Sequence, residues 1–317
     1  MSRESVSKNE QWVVMFPGQG SQFVGMGKDF FAQSSKCKEI YELANHIAQK
    51  DITKLCFSGP ISKLSKTDVL QISITATNMA ISQYLLANTA IKPSVCLGHS
   101  VGEYSALNLA GSLSTHTALE LALVRGSLMQ REAKLVKGQM YAIKNLSAAR
   151  LREMLEDIGD DSIVIANDNS NQQQVVSGAK SAISEALSYF SAQGIETSKL
   201  PVSGAWHSAL MQGCVDEFAR ALEEAEINKP KIPYINNMTA LPCTDVADIK
   251  NNLTEHITGM VRWRESIEWL IAQGHRNFVE VGPKKVLSRL IESIAQDGHD
   301  LTIKQVESID DVDRFGC

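Results

Sequence analysis

The sequence Gly-His-Ser-Val-Gly at residues 98–102 constrains the fold of this chain more than any other segment. It follows an apolar run, Ser94–Leu97, and so fits the G-x-S-x-G pattern of a serine held on a sharp turn between a strand and a helix. Small flanking residues let the chain turn without steric clash, and the helix start offers free backbone N–H groups. The pattern predicts that Ser100 is a nucleophile for acyl transfer or acyl hydrolysis. Because so short a motif also arises by chance, the rest of the chain has to support it.

Length and composition exclude several classes of protein. The chain has 317 residues, enough for one large domain with an insertion or for two domains. With a formal charge of −5, no basic stripe and no zinc-ligand spacing, it is not expected to bind nucleic acid. No stretch approaches the roughly 18–20 apolar residues of a membrane span. Residues 1–11 lack the apolar core of a signal peptide and are predicted to be a disordered leader.

The spacing of apolar residues predicts an α/β fold. Trp12–Phe16 reads as a buried strand that ends at Pro17-Gly18. Further strands are predicted at 232–235 and 277–281, and helices at 36–50, 69–88, 102–109, 115–135, 208–226 and 265–273. Between residues 138 and 203 the order changes to strand, helix, strand, strand, helix, strand, which is the ferredoxin-like pattern.

We therefore predict an α/β-hydrolase-like large domain with a parallel sheet and an inserted ferredoxin-like α+β subdomain. The large domain would consist of residues 12–137 and 204–300, and the subdomain of residues 138–203. Residues 301–317 are predicted to form a C-terminal tail.

A serine nucleophile needs a base, and His207 is the best candidate among the seven histidines. It lies between a predicted strand and a predicted helix, where Gly204 and Ala205 would give access. His99 is adjacent to the serine, and neighbours on a tight turn diverge, so we expect it to pack or to orient the turn. The other histidines lie in polar or terminal contexts typical of the surface.

Two further features have both a functional and an ordinary interpretation. Arg125 lies on a helix whose inner face is otherwise apolar. It could reach water from the helix end, or its planar guanidinium could bind the free carboxylate of an acyl group. The loop Gly18–Gln22 could be an ordinary turn, or it could supply a second N–H group for an oxyanion.

Five motifs occur in one order and together resemble a known family. They are Phe16–Gln22, Gly98–Tyr104, Val124–Gly126, Gly204–Ser208 and Val279–Pro283. This set is similar to that of malonyl-CoA:acyl-carrier-protein acyltransferases, from about residue 12 to residue 295. Three flanking segments, Gln173–Gly178, Tyr234–Ala240 and Val261–Ile267, resemble the discrete, trans-acting acyltransferases of polyketide synthases. The fatty-acid-synthesis enzymes are close relatives of those.

The resemblance implies roles for particular residues. Ser100 would carry a malonyl ester, His207 would be its base, and Arg125 would bind the malonyl carboxylate. The backbone N–H groups of Gln19 and Val101 would form the oxyanion hole. The donor would be malonyl-CoA, and the acceptor would be the phosphopantetheine thiol of an acyl carrier protein, with no metal and no tightly bound cofactor.

Four more residues are implied to be near the substrate. Asn167 and Gln173 fall close to substrate-lining positions of the family. The family usually has phenylalanine where this chain has Trp206, and glutamine where it has His256. The main-chain carbonyl at the latter position would orient the catalytic histidine, and its side chain is expected to line the site. Both departures bear on the acyl group rather than on the reaction.

Three alternatives remain at this stage. The chain could be an acyl hydrolase that releases acyl groups from carrier proteins, although Arg125 disfavours neutral acyl chains. It could transfer a different dicarboxylic acyl group, or it could be a docking protein that kept only the fold. We further expect a monomer with no membrane partner. The six scattered cysteines, without a C-x-x-C pair, indicate a reducing cytoplasm.

Overall fold

The computed structural model describes residues 11–295 and 300–315. The predicted leader therefore lies outside the described residues, except for Gln11, which begins the first strand. The strands, in chain order, are β1 (Gln11–Phe16), β2 (Lys92–Gly98), β3 (Gly138–Lys144), β4 (Ile163–Ser170), β5 (Gln173–Ala179), β6 (Thr197–Lys199), β7 (Tyr234–Ile235), β8 (Pro242–Cys243), β9 (Asn277–Val281) and β10 (Thr302–Val306).

Helices surround the two sheets that these strands form. They are α1 (Lys28–Gln33), α2 (Ser35–Ala48), α3 (Ile52–Ser58), α4 (Ile61–Leu64), α5 (Thr67–Asn88), α6 (Gly102–Leu109), α7 (Thr115–Leu135), α8 (Ala148–Ile158), α9 (Lys180–Ala192), α10 (Val215–Glu224), α11 (Val246–Glu255), α12 (Trp263–Ala272), α13 (Leu287–Ile294) and α14 (Ile309–Phe315). A 3₁₀ helix, Ala209–Cys214, precedes α10.

The larger sheet has the strand order β10-β9-β1-β2-β7-β8. All neighbours in it are parallel except β7 and β8. Its central strands bury both faces, because alternate residues of β1 enter two different hydrophobic clusters, Val14 and Phe16 in one, Val13 and Met15 in the other. Phe16 at the end of β1 lies opposite Gly98 at the end of β2. The loops that follow these two strands therefore emerge side by side.

The C-terminal residues differ from the prediction of a tail. Thr302–Val306 form β10, which pairs in parallel along all of β9 at the edge of the larger sheet. Helix α14 follows it, and Phe315 packs against Trp12 with ring centroids 4.7 Å apart. The sequence pattern missed this strand because its residues are only half buried at a sheet edge and alternate weakly.

Helix α5 is buried on nearly all sides, and small polar residues make this possible. Ser73, Thr75 and Thr77 each donate their hydroxyl to the carbonyl four residues earlier, at 2.8, 2.9 and 2.8 Å. These bonds satisfy the hydroxyls within the helix, so that the helix can be enclosed without unpaired donors. Helix α7 packs along α5 and carries Arg125 towards the ends of β1 and β2.

The predicted β-α-β-β-α-β order is confirmed at residues 138–199. The four strands form an antiparallel sheet in the order β4-β5-β3-β6, which is the arrangement of the ferredoxin-like fold. Helices α8 and α9 cover one face with a hydrophobic cluster of their own, which includes Leu151, Ile183 and Phe190. The exact boundaries of the two domains stay a prediction.

The small sheet is attached to the large domain through the middle of β4. Asp168 is fully buried and accepts hydrogen bonds from Arg264 on α12, at 3.1, 3.1 and 2.8 Å. Its backbone N–H also donates to the carbonyl of Val261 at 2.9 Å. A bidentate arginine–carboxylate contact fixes orientation as well as distance. It therefore sets where β4 presents the neighbouring Asn167 and Asn169.

Candidate active site

Ser100 stands on the sharp turn that the sequence predicts between β2 and α6. Its backbone adopts a left-handed conformation, with φ 52°, that residues other than glycine rarely occupy. The turn is possible because Gly98 and Gly102 lie in contact: a Cβ atom on Gly98 would come within 2.0 Å of the carbonyl carbon of Gly102. The strain aims the serine hydroxyl out of the sheet.

His207 reaches the serine from the segment between β6 and the 3₁₀ helix. Its Nε2 atom lies 2.8 Å from Ser100 Oγ. Its Nδ1 atom lies 2.9 and 3.0 Å from the main-chain carbonyls of His256 and Gly259. Because carbonyls only accept, these contacts assign the ring proton to Nδ1 and leave Nε2 free to accept from the serine. The two carbonyls orient the imidazole of His207, as a carboxylate orients the histidine of a catalytic triad.

Burial lowers the pKa of His207 well below its ordinary value of 6.5, and electrostatic interactions with His256 and Arg125 lower it further. The imidazole is therefore neutral around neutral pH, which is the form that can act as a base. His99, by contrast, turns away from the serine, and its Nε2 lies 2.9 Å from Asn169 Oδ1. That His99 packs or orients the turn stays a prediction.

Two backbone N–H groups beside Ser100 are unused. Among the described residues, neither Gln19 nor Val101 has a hydrogen-bond partner for its main-chain N–H. The N–H of Ser100 itself is occupied, because it donates to Asn237 Oδ1 at 2.8 Å. The Gln19 loop can approach the turn because Gly18 has no side chain: a Cβ atom there would lie 2.3 Å from the carbonyl oxygen of His99. The pair is suited to receive an oxyanion.

Arg125 is buried, with 2% of its surface exposed, yet no acidic side chain of the described residues lies within ion-pair distance of it. Its guanidinium donates to Gln71 Oε1 at 2.9 Å and to Ser100 Oγ at 3.2 Å. The interpretation in which this arginine reaches water is therefore wrong. A buried cation without a counter-charge is costly, and a carboxylate brought by a ligand would offset that cost.

These groups open onto a cavity of about 200 Å³ at the boundary between the two sheets. Asn167, Gln173 and Trp206 line it together with Gln19, Val101 and Arg125. That these residues contact the substrate stays a prediction. The apolar part of its wall comes chiefly from Met129, Met140, Val175, Leu200 and Val202. The cavity can therefore hold a short acyl chain with a polar end directed at the guanidinium.

The side chain of His256 does not lie where the sequence predicted. Its ring is buried behind His207, with ring centroids 4.6 Å apart, and its Nδ1 atom lies 2.7 Å from Glu103 Oε2. It is not part of the cavity wall, because the contact with Glu103 turns the ring towards the interior. The main-chain carbonyl of His256, by contrast, contacts Nδ1 of His207, as the resemblance implied.

Sequence reasoning missed three residues that hold the site together. Gln71 on α5 holds the guanidinium of Arg125, and Asn237 and Glu103 lie behind the serine turn. For Glu103 a signal existed, since it belongs to the motif that carries Ser100. A signal existed for Asn237 too, since it belongs to the flanking segment Tyr234–Ala240. For Gln71 no local pattern existed, since a buried amide in an apolar helix looks ordinary in sequence.

A histidine-activated serine on a strand–turn–helix elbow, with two free N–H groups beside it, defines a class of enzymes that form an acyl ester on serine. The sequence profile described as "Acyl transferase domain" matches residues 13–311. The chain thus belongs to the acyl transferase family.

Individual relatives agree with this assignment. The chain is 36% identical over 285 residues to the polyketide biosynthesis malonyl CoA-acyl carrier protein transacylase PksC of Bacillus subtilis, covering 89% of this chain and 96% of that one. It superposes with a TM-score of 0.91 on an acyl carrier protein S-malonyltransferase of Vibrio cholerae, at 34% identity, covering 96% and 99% of the chains. A type II polyketide synthase carrier protein in complex with its malonyl-transacylase gives a TM-score of 0.90 at 30% identity, covering 96% and 99%.

The described residues contain neither a membrane-spanning helix nor a cluster of metal-binding side chains. None of the described helices combines the length and apolar character needed to cross a membrane. Within residues 11–295 and 300–315, no cluster of three or more His, Cys, Asp or Glu side chains could hold a metal ion. That the reaction needs no metal stays a prediction.

Proposed function

We propose that this protein transfers a malonyl group from malonyl-CoA to the phosphopantetheine thiol of an acyl carrier protein through an ester on Ser100. The observation that carries the proposal is the guanidinium of Arg125, buried without a counter-charge and 3.2 Å from the serine oxygen. An acyl group that ends in a carboxylate would pair with it and bring the thioester carbonyl to the serine. The names of the relatives support malonyl as that group.

In the first half-reaction, Ser100 Oγ attacks the thioester carbonyl carbon while its proton passes to His207 Nε2. The carbonyl oxygen becomes an oxyanion, which the N–H groups of Gln19 and Val101 stabilise. When the intermediate collapses, the carbon–sulfur bond breaks, and the sulfur of CoA takes the proton from His207. The products are CoA and the malonyl ester of Ser100.

The second half-reaction is the reverse with a different thiol. The pantetheine thiol gives its proton to His207 and attacks the ester carbonyl, and the serine leaves as the alcohol after taking the proton back. Arg125 holds the same carboxylate in both half-reactions, while the ester bond keeps the acyl group on Ser100 between them. This is ping-pong catalysis.

Intact-mass spectrometry with a panel of acyl-CoA thioesters tests the proposal. Malonyl-CoA should acylate the wild-type chain but not Ser100→Ala, and adding a carrier protein should move the acyl group to its pantetheine arm. Arg131→Ala is a matched control, because Arg131 lies on α7 with Arg125 but is half exposed and paired with Glu132 and Glu217. Loss of the acyl group to water at the same rate with and without carrier protein would indicate the hydrolase instead.

The side of the cavity mouth formed by α13 is where we expect the carrier protein to bind. Val286, Leu287 and Leu290 line the cavity there, and Lys284, Lys285 and Arg289 are exposed beside them. Carrier proteins are acidic, so these cations would attract them. Because Lys285 already pairs with Glu292, Lys284 and Arg289 are the stronger candidates. A solvated helix face is the alternative, and in that case Arg289→Glu would leave the KM for carrier protein unchanged.

Further parts of the proposal rest on sequence. The substrates supply all the chemistry besides the side chains, so no tightly bound cofactor is expected. A monomer in a reducing cytoplasm is also expected, and five of the six cysteines are buried free thiols. The relatives support two pathways for this protein, fatty acid synthesis and polyketide synthesis. The three flanking segments that resemble polyketide synthase acyltransferases favour polyketide synthesis.

A further inference from the structure

Glu103 is a buried carboxylate directly behind the catalytic pair. It follows Ser100 by three residues, in the first turn of α6, and only 1% of its surface is exposed. Its Oε1 atom accepts from the backbone N–H of Asn237 at 2.9 Å and from the hydroxyl of Tyr234. Its Oε2 atom lies 2.7 Å from Nδ1 of His256. The two oxygens thus contact two segments that are far apart in the chain.

The first segment leads to the serine. Asn237 follows β7, the strand that pairs with β2 on the side away from β1. Its side-chain Oδ1 accepts from the N–H of Ser100 at 2.8 Å, and its Nδ2 donates to the carbonyl of Gly98 at 2.7 Å. The side-chain amide of Asn237 therefore holds the serine turn at both Gly98 and Ser100, and Glu103 in turn binds the backbone N–H of Asn237.

The second segment leads to the histidine. His256 directly follows α11, and its main-chain carbonyl accepts from Nδ1 of His207 at 2.9 Å. The side chain of the same residue contacts Glu103. Because the ring of His256 contacts the carboxylate of Glu103, the backbone of His256 is held in place. Its main-chain carbonyl can therefore stay in a fixed position for His207. The 2.7 Å contact between Nδ1 of the ring and Glu103 Oε2 has the distance of an ion pair without the angle of a hydrogen bond, and Nε2 of the ring is buried without a hydrogen-bond partner among the described residues.

We infer that Glu103 is a positioning residue that fixes Ser100 and His207 relative to each other, through Asn237 on one side and His256 on the other. The inference rests on the proposed function, since it concerns the serine–histidine pair that carries the acyl group. Glu103 does not line the substrate cavity. It should therefore affect the rate of the acyl step and not the binding of the acyl donor. A misplacement of about 1 Å at a reacting group can cost roughly 100-fold in rate.

The direct test is Glu103→Met, which keeps the length of the side chain and removes both acceptor atoms. At saturating malonyl-CoA, the rate of Ser100 acylation measured in a single turnover should fall about 10–100-fold. The Kd for malonyl-CoA should stay within about twofold, because Arg125 and the cavity wall are untouched. Glu132→Met is the matched control: Glu132 is also a nearly buried carboxylate of the large domain, but it pairs with Arg131 and contacts neither catalytic residue.

A second pair of variants keeps the test decisive if Glu103→Met does not fold. His256→Ala retains the main-chain carbonyl but loses the contact with Glu103, whereas the side-chain amide of His256→Gln can donate to the carboxylate. The alanine variant should acylate about tenfold more slowly than the wild type, and the glutamine variant should recover most of that rate. A side chain with only a packing role would show no such difference at a temperature where both variants are folded.

Two results would overturn the inference. One is a folded Glu103→Met chain that is acylated at the wild-type rate, and the other is an equal rate for His256→Ala and His256→Gln. A fluorophosphonate probe, which reacts with activated serines whatever their acyl preference, is run in parallel. Failure of malonyl-CoA to acylate the wild type would contradict the proposed function alone, and the probe rates of the same variants would still decide the role of Glu103.

Discussion

The Nε2 atom of His207 and the hydroxyl oxygen of Ser100 lie 2.8 Å apart, although 107 positions separate the two residues in the chain. Both residues have a left-handed backbone, with φ 58° and φ 52°. Each conformation costs free energy that the surroundings must offset. For Ser100, this cost is offset by the packing of the turn between β2 and α6. For His207, it is offset by the contacts with the carbonyls of His256 and Gly259.

Replacing Arg125 by alanine should change which acyl group the enzyme prefers. The variant loses hydrogen bonds to the substrate carboxylate, each worth about 1.5–3 kcal/mol when one partner is charged. The kcat/KM for malonyl-CoA should therefore fall about 10–150-fold, while that for acetyl-CoA should stay equal or rise. Steady-state transfer to carrier protein measures both values. An unaltered ratio of the two would contradict the role of Arg125, and Arg131→Ala should leave the ratio as it is.

The acylation rate should be nearly independent of pH around neutrality. His207 works as a base only when it is neutral, and burial together with electrostatic interactions with His256 and Arg125 keeps its pKa well below 6.5. The imidazole is therefore already deprotonated between about pH 6.5 and 8, and kcat/KM should decline only as the pH falls through the lowered pKa.

The Arg125→Ala variant gives this pH dependence a second test. Removing one positive neighbour should raise the pKa of His207, so the acidic decline should move towards neutral pH. A profile measured with acetyl-CoA avoids the binding defect for malonyl. If the decline stayed at the wild-type pH, Arg125 would not act on the base.

A side chain at Gly18 should impair the oxyanion hole. The Cβ atom of Gly18→Ala would lie 2.3 Å from the carbonyl oxygen of His99, so the loop would have to move and carry the N–H of Gln19 with it. Loss of one such donor typically lowers kcat by about 10²–10³, with little change in KM. Gly194→Ala is a control for a strained substitution away from the site, because Gly194, unlike Gly18, has a left-handed backbone and has open space around it in the small subdomain. Wild-type kcat in Gly18→Ala would show that the loop is not catalytic.

Trp206→Phe should widen the range of acyl groups. Trp206 lines the cavity, and its buried indole N–H has no hydrogen-bond partner among the described residues, so the smaller ring loses no bond. The added space should let a branched dicarboxylic acyl-CoA, such as methylmalonyl-CoA, acylate Ser100 several-fold faster relative to malonyl-CoA. Competition between the two thioesters, read by intact mass, measures the ratio. Trp269→Phe, outside the cavity, should leave it unchanged.

Local patterns in the sequence determined much of this protein. The glycines around Ser100 favour a sharp turn between a strand and a helix, and the order of elements at residues 138–203 indicates the antiparallel sheet of the ferredoxin-like pattern. The order of the five motifs was enough to indicate the family and to select His207 from seven histidines. Such features are encoded within short segments, where backbone sterics and the period of apolar residues act directly.

Only the tertiary structure decided the rest. That Gln71 holds Arg125, that Asn237 occupies the N–H of Ser100, and that the ring of His256 turns to Glu103 instead of the cavity all depend on which elements pack together. The same is true of β10, whose half-buried residues become a strand because β9 offers an unpaired edge. Contacts of this kind join residues distant in sequence, and a hydrogen bond between buried groups depends on a position that no local pattern specifies.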